Sequence, residues 1–357
     1  MKKEVLEIVK RMRPKWAFLL VLGVVMAAAV SWWNIREWRA GLVRPSSETV
    51  TEEKQGLKRR RIDGVEIAKE TLEAYPLAVV VENSIDGRPL SGMARANLVW
   101  EAPVEAGITR LLAVYADAGE VPKIGPVRSA RPYFVDWAEE TRALFAHVGG
   151  SAEALSLIPR SGLKDLNEFW HGQYFWRSRQ RFAPHNTYTS TALLAQALAD
   201  RQLDEPPLYQ SWKFKDDAPE DQRGKVVAIA VPFSGNHYQV GWEYDRAQNV
   251  YDRFQDGALI RDADDNSPVR VKNVVVMETD ISIIDNEGRR RVRTLGSGRA
   301  RLFRDGQMLA GTWKREDREA RTTFWDDQGN EMVLNAGTSW IEVIGEMDEM
   351  ILSSEEN

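Results

Sequence analysis

The densest run of residues able to do chemistry is Gly125-Pro126-Val127-Arg128-Ser129-Ala130-Arg131. Arg128 lies just before a predicted helix and Arg131 lies in its first turn. Guanidinium forks beside free helix N–H groups suit phosphate, sulfate or carboxylate. The same arginines also suit internal pairing with Glu101, Glu105 or Asp136, and spacing alone leaves both open. Glu101 and Glu105 stand four residues apart, with Arg110 following. A helix would put both carboxylates on one face. Pro103 and Gly107 oppose a continuous helix, so a strand end and a loop are expected there instead. A carboxylate beside arginines is a candidate general acid or base, including for glycan cleavage, or else a structural ion-pair partner.

Three further motifs carry polar chemistry. Ala183-Pro184-His185-Asn186 is a compact turn after Arg177, Arg179 and Arg181. His185 can exchange protons near neutral pH and Asn186 can orient it or a ligand; an Asn-led turn with a capping histidine fits equally well. His147 precedes Gly149-Gly150-Ser151, where backbone amides can hold an anion or the glycines simply permit a turn. Phe169, Trp170, Tyr174, Phe175 and Trp176 form an aromatic cluster that suits sugar stacking or a satellite core. No two histidines have metal-ligand spacing, so no metal site is expected. No phosphate loop, dinucleotide fingerprint or Gly-x-Ser-x-Gly elbow occurs, so no cofactor is expected.

These motifs need elements to position them. The apolar run 77–81 (LAVVV) reads as a buried strand, and 108–115 as another. Residues 129–145 read as a helix with Ser129 as its N-cap and Pro132 in its first turn; its final residues are also compatible with a strand. Short helices are expected over 152–158 and 191–199. After a polar link at 205–224, strands recur at 226–231, 238–244, 250–254, 269–277, 299–303, 308–313, 322–325 and 339–344. Asp-Gly and Asn-Glu-Gly turns separate them. The fold class is therefore α+β: an N-terminal mixed α/β domain over 75–204 and a C-terminal, mostly antiparallel β domain over 225–345. One transmembrane helix precedes them, and an acidic tail, 346–357, is expected to fray.

Composition sets the compartment. The chain has 357 residues, net charge −5 and no cysteine. The mild charge argues against a nucleic-acid partner. The lack of cysteine excludes disulfides, thiolate metal sites and a thioether-linked lipid from these residues. Residues 16–33 (WAFLLVLGVVMAAAVSWW) carry no charge and have tryptophans at both ends, as a bilayer span does. Six positive charges precede this run and three follow it. That bias places residues 1–15 in the cytoplasm and the bulk of the chain outside, with 16–33 as a signal-anchor in the lipid bilayer. Residues 34–74 read as a polar tether.

Several of these stretches resemble the YerB-like family of bacterial extracytoplasmic proteins. The matching segments are Val81-Glu82-Asn83, Arg88-Pro89, Ser91-Gly92, residues 105–110 (EAGITR), residues 123–131 (KIGPVRSAR), His147-Gly149-Gly150-Ser151 and Ala183-Pro184-His185-Asn186. Residues 242–251, Gly296-Ser297-Gly298, Trp313 and residues 334–340 extend the match through the C-terminal part. The resemblance implies an α+β domain with a β-rich partner outside the membrane, and no settled reaction. It also implies lipoproteins among its members, whereas this chain has no cysteine. Glu82 stands where the family pattern has an aspartate.

The expected function is a membrane-anchored envelope protein that binds an anionic or glycan cell-wall ligand. Arg110, Arg128, Arg131, His147, His185 and Asn186 would contact it. One alternative is a peptidoglycan hydrolase or lyase using Glu105 or Glu101. Another is a scaffold recruiting envelope proteins.

Overall fold

The structure is a computed structural model that describes residues 56–354, apart from 117, 118 and 235. Residues 16–33, the expected membrane span, lie outside the described residues. Among the described residues no helix is long and apolar enough to cross a membrane.

The core is a ten-stranded mixed sheet. Its strands in chain order are β1 (Leu77–Glu82), β2 (Leu98–Pro103), β3 (Thr109–Tyr115), β4 (Leu144–His147) and β5 (Lys164–Asn167). A second sheet contributes β6 (Val226–Pro232), β7 (Gln239–Asp245) and β8 (Val250–Gln255). The chain then returns to the large sheet as β9 (Asn273–Glu278), β10 (Gly296–Arg304), β11 (Gln307–Arg315), β12 (Thr323–Asp326) and β13 (Ser339–Ile344). The last strand, β14 (Ile351–Ser354), pairs antiparallel with β6. The spatial order of the large sheet is β12-β11-β10-β9-β13-β2-β3-β1-β4-β5.

Burial explains the two kinds of strand. The central strands β1, β3 and β13 are buried at every residue, and their sequences LAVVVE, TRLLAVY and SWIEVI are apolar nearly throughout. Strands covered on both faces have no solvent side to make polar. Strand β8 (VYDRFQ) instead alternates between buried and half-buried positions, so one face meets solvent. One face of the large sheet packs on α1 (Pro132–Glu139) and α2 (Ala152–Leu157). There Trp100 stacks on Trp137 with ring centroids 4.7 Å apart. The other face packs on α3 (Thr191–Asp200) and the second sheet, through Val81, Leu111, Trp340, Trp242 and Tyr251.

Several expectations need correction. The protein is mostly β with few helices. The C-terminal strands do not form a purely antiparallel unit: β13 runs parallel to both β9 and β2, which welds both halves of the chain into one sheet. Local patterns cannot show this, because Glu101 and Glu342 become register partners across more than two hundred residues. The helix expected over 129–145 is only α1, with Arg131 rather than Ser129 as N-cap. Arg142 turns the chain at φ 50°, and the apolar residues after it join the sheet as β4. Part of the polar tether folds too: Leu57–Arg59 pairs with Glu66–Ala68 around the buried Ile62. Trp212 and Phe214, in the expected link, are buried in the core, and the acidic tail supplies β14. Single large apolar residues inside polar runs were enough to order these segments.

Candidate functional site

Two charged clusters lie near the same ends of the central strands β1, β2 and β3, with one key glutamate inside β2 and the other in the turn that follows it. The turn is tight: the Val104 N–H donates to the Ile108 carbonyl at 2.7 Å, Ala106 adopts φ 55° and Gly107 φ 73°. A positive φ is costly for alanine and free for glycine, so the turn is closely specified. It lifts Glu105 off the sheet while Glu101 stays inside β2.

Glu105 is the centre of the first cluster. Its Oε1 accepts from Arg131 Nη2 at 2.6 Å and from Arg110 Nη2 at 3.3 Å. Burial alone would raise its pKa, but the two guanidinium groups outweigh that and hold it at about 2. Arg110 is buried, and desolvation together with the neighbouring Arg131 lowers it to about 10. Arg110 also donates to the Ser129 carbonyl at 2.9 Å, and Arg131 to the Ala130 carbonyl at 2.9 Å. Register pairs Arg110 with Glu82 on β1. Glu82 Oε1 lies 3.3 Å from Arg128 Nε and 2.9 Å from His185 Nδ1, and accepts from Ser84 Oγ at 2.7 Å. Arg128 Nη1 donates to the Pro184 carbonyl at 3.2 Å, so the 183–186 turn closes over the cluster. Three arginines and a histidine thus face Glu82 and Glu105, and the exposed Asp86 lies 4.0 Å from His185 Nε2. Glu82 Oε2, Glu105 Oε2, Arg128 Nε and Arg131 Nε are buried and have no hydrogen-bond partner.

The structure therefore brings together Glu105, Arg110, Arg128, Arg131 and His185. It leaves out His147, which is fully buried with Nδ1 2.7 Å from the Gly149 carbonyl and Nε2 2.8 Å from Asp165 Oδ1. Asn186 donates to the Ser178 carbonyl at 3.3 Å and accepts from Arg177 at 3.4 Å, which makes it a turn residue beside the cluster. The aromatic stretch divides: Tyr174 and Phe175 are core, whereas Phe169 and Trp170 are 63% and 78% exposed. Phe182, three residues before His185, is 91% exposed. The Phe169 ring lies against Gly149, and Gly150 bridges to Ala130, next to Arg131 in the chain.

Glu101 belongs to a different setting. Strand alternation turns it, with Val99, toward the second sheet, where it has no exposed surface. Oε1 accepts from Asn83 Nδ2 at 3.1 Å and Thr109 Oγ1 at 2.6 Å. Oε2 accepts from Arg253 Nη2 at 2.7 Å and Trp340 Nε1 at 3.2 Å. Glu342 sits beside it on β13, and Trp242 Nε1 donates to it at 2.9 Å. Desolvation, then the negative Glu101, push Glu342 well above the ordinary carboxylate range. Sequence reading missed Arg253 and Glu342. For Glu342 the signal was a charged residue inside the otherwise apolar SWIEVI; for Arg253 it was a charge on the tyrosine-and-glutamine face of the alternating VYDRFQ.

Comparison with known proteins identifies the family. Models of the N-terminal and C-terminal domains of "Protein of unknown function (DUF3048)" match residues 63–204 and 229–341. A protein of Bacillus subtilis (strain 168), described as "Putative lipoprotein YerB", is 30% identical over 304 residues, 83% of this chain and 88% of the relative. The crystal structure of YerB protein from Bacillus subtilis superposes with a TM-score of 0.75 at 28% identity, covering 83% of this chain and 99% of that chain.

Proposed function

This chain belongs to the DUF3048 family, and from that premise we propose that it is a membrane-tethered extracytoplasmic protein that binds an anionic glycan of the cell envelope. The observation that carries the reading is the convergence of Arg110, Arg128, Arg131 and His185 at one end of strands β1 and β3, around Glu82 and Glu105, with the exposed Asp86 4.0 Å from His185. The three guanidinium groups, with the buried Arg131 Nε lacking a hydrogen-bond partner, suit an anionic group. Exposed Phe169, Trp170 and Phe182 offer faces on which sugar rings stack. The tether is the uncharged run 16–33, and the description of the relative as a lipoprotein agrees with attachment to a membrane.

The hydrolase reading loses support on chemical grounds. A carboxyl held at about 2 has no proton to donate at neutral pH, so Glu105 is a poor general acid. Glu101 has no exposed surface and its oxygens accept four hydrogen bonds, so substrate has no route to it. Both glutamates serve better as holders of arginines.

The test is co-sedimentation of the full chain, in nonionic detergent, with purified cell walls that carry or have been stripped of their anionic polymers. Binding is expected to need the polymers and to fall about tenfold with Arg128→Ala. Equal binding to stripped walls, or none, rejects the reading.

A further inference from the structure

We propose that the cavity between the large sheet and the β8 side of the second sheet is a separate ligand site, built for a compact carboxylate with an apolar body. This site goes beyond the glycan reading and does not depend on it. The cavity encloses about 370 Å³, at the lower end of the usual range of ligand pockets. Its wall is apolar, with Leu90, Met93, Leu111, Val269 and the Trp340 ring. The polar groups that join it are Asn83, Arg88, Arg253, Gln255 and Arg261, and no aspartate or glutamate lines it.

Two of those groups are buried donors that lack an acceptor. Arg253 and Gln255 are each 2% exposed. Arg253 Nη1 donates to Gln255 Oε1 at 3.0 Å, which fixes the amide with its NH2 pointing away from the guanidinium. Gln255 Nε2 and Arg253 Nε then have no hydrogen-bond partner. A buried donor without an acceptor costs about 1–3 kcal/mol, so an acceptor placed there is favoured.

Charge points the same way. Glu101 neutralises Arg253 at 2.7 Å. Arg88 has only neutral partners: the Asn83 side chain and carbonyl at 3.2 and 2.9 Å, the His237 carbonyl at 3.0 Å, and the Tyr238 ring 4.9 Å away. Arg261 donates to the Asn266 carbonyl at 2.9 Å. Among the described residues neither guanidinium has a carboxylate within ion-pair distance. Cations at the wall, free donors inside and an apolar lining together select an anionic head on a hydrophobic body.

Isothermal titration calorimetry of the full chain in nonionic detergent, with 4-butylbenzoate as probe and 4-butylbenzamide as its uncharged match, tests this. One-to-one saturable binding of the acid is expected, with the amide at least about tenfold weaker. Arg88→Gln should weaken the acid by about tenfold, and the surface change Arg261→Gln, which leaves the fold intact, by about threefold. Leu259→Trp, which fills the cavity, should abolish the heat. No saturable binding would leave the cavity to water and overturn the proposal. So would equal binding of acid and amide, or indifference to both Arg261→Gln and Leu259→Trp.

Discussion

Glu101 and Glu105 stand four residues apart on the two sides of one turn, and their surroundings give them opposite tasks. Glu105 sits half-buried with two arginines and stays ionised to about pH 2. Glu101 sits between two sheets with one arginine and a second glutamate, and burial, then the neighbouring Glu101, pushes Glu342 well above the ordinary carboxylate range. The Glu105 cluster gathers three arginines and reaches solvent through Arg128 and His185. The seam cluster is balanced and dry, and it ties β2, β8 and β13 together. Similar residues thus make a solvent-reaching ionic cluster in one place and a dry structural joint in the other, with desolvation deciding which.

The largest effect should come from the seam. Arg253→Met leaves Glu101 buried without its cation and should destabilise the chain by about 3–5 kcal/mol in urea unfolding. A loss under 1 kcal/mol would mean that the joint is not ionic. Glu105→Gln should cost less, about 1–3 kcal/mol near neutral pH. The depressed pKa of Glu105 stabilises the fold above its ordinary value of 4.5, and that contribution fades as pH falls toward 2. Mutant and wild type should therefore converge in acid; a gap that persists to pH 2 would contradict the assignment. Glu342→Gln should be the mildest, within about 1 kcal/mol at pH 5, because the amide donates where the acid did. A raised pKa stabilises below 4.5 and loses that contribution as pH climbs. The glutamine variant should thus lose less stability than wild type between pH 5 and 9.

The Glu105 cluster was legible because its residues are near in sequence. Glu105, Arg110, Arg128 and Arg131 fall on adjoining turns and strand ends, and the 183–186 turn showed its Pro-His-Asn chemistry. The seam was not legible. Glu342 reaches β2 only through the parallel pairing of β13 late in the chain, Arg253 comes from β8 in the second sheet, and periodicity within one strand carries no record of its partner. The aromatic stretch shows the same limit: Trp170 and Tyr174 look alike in sequence, yet one is 78% and the other 4% exposed. The extra order at residues 57–68 and in β14 came from pairing partners that local polarity hid.

The most direct measurement sets Arg128→Ala against Glu105→Gln in one titration of the full chain with the anionic wall polymer. Removing the exposed cation should weaken binding about tenfold. Removing the carboxylate that occupies Arg110 and Arg131 should tighten it and steepen its dependence on salt. If both variants bind as wild type does, or both shift in the same direction, the arginine cluster is a structural pairing and not the ligand site.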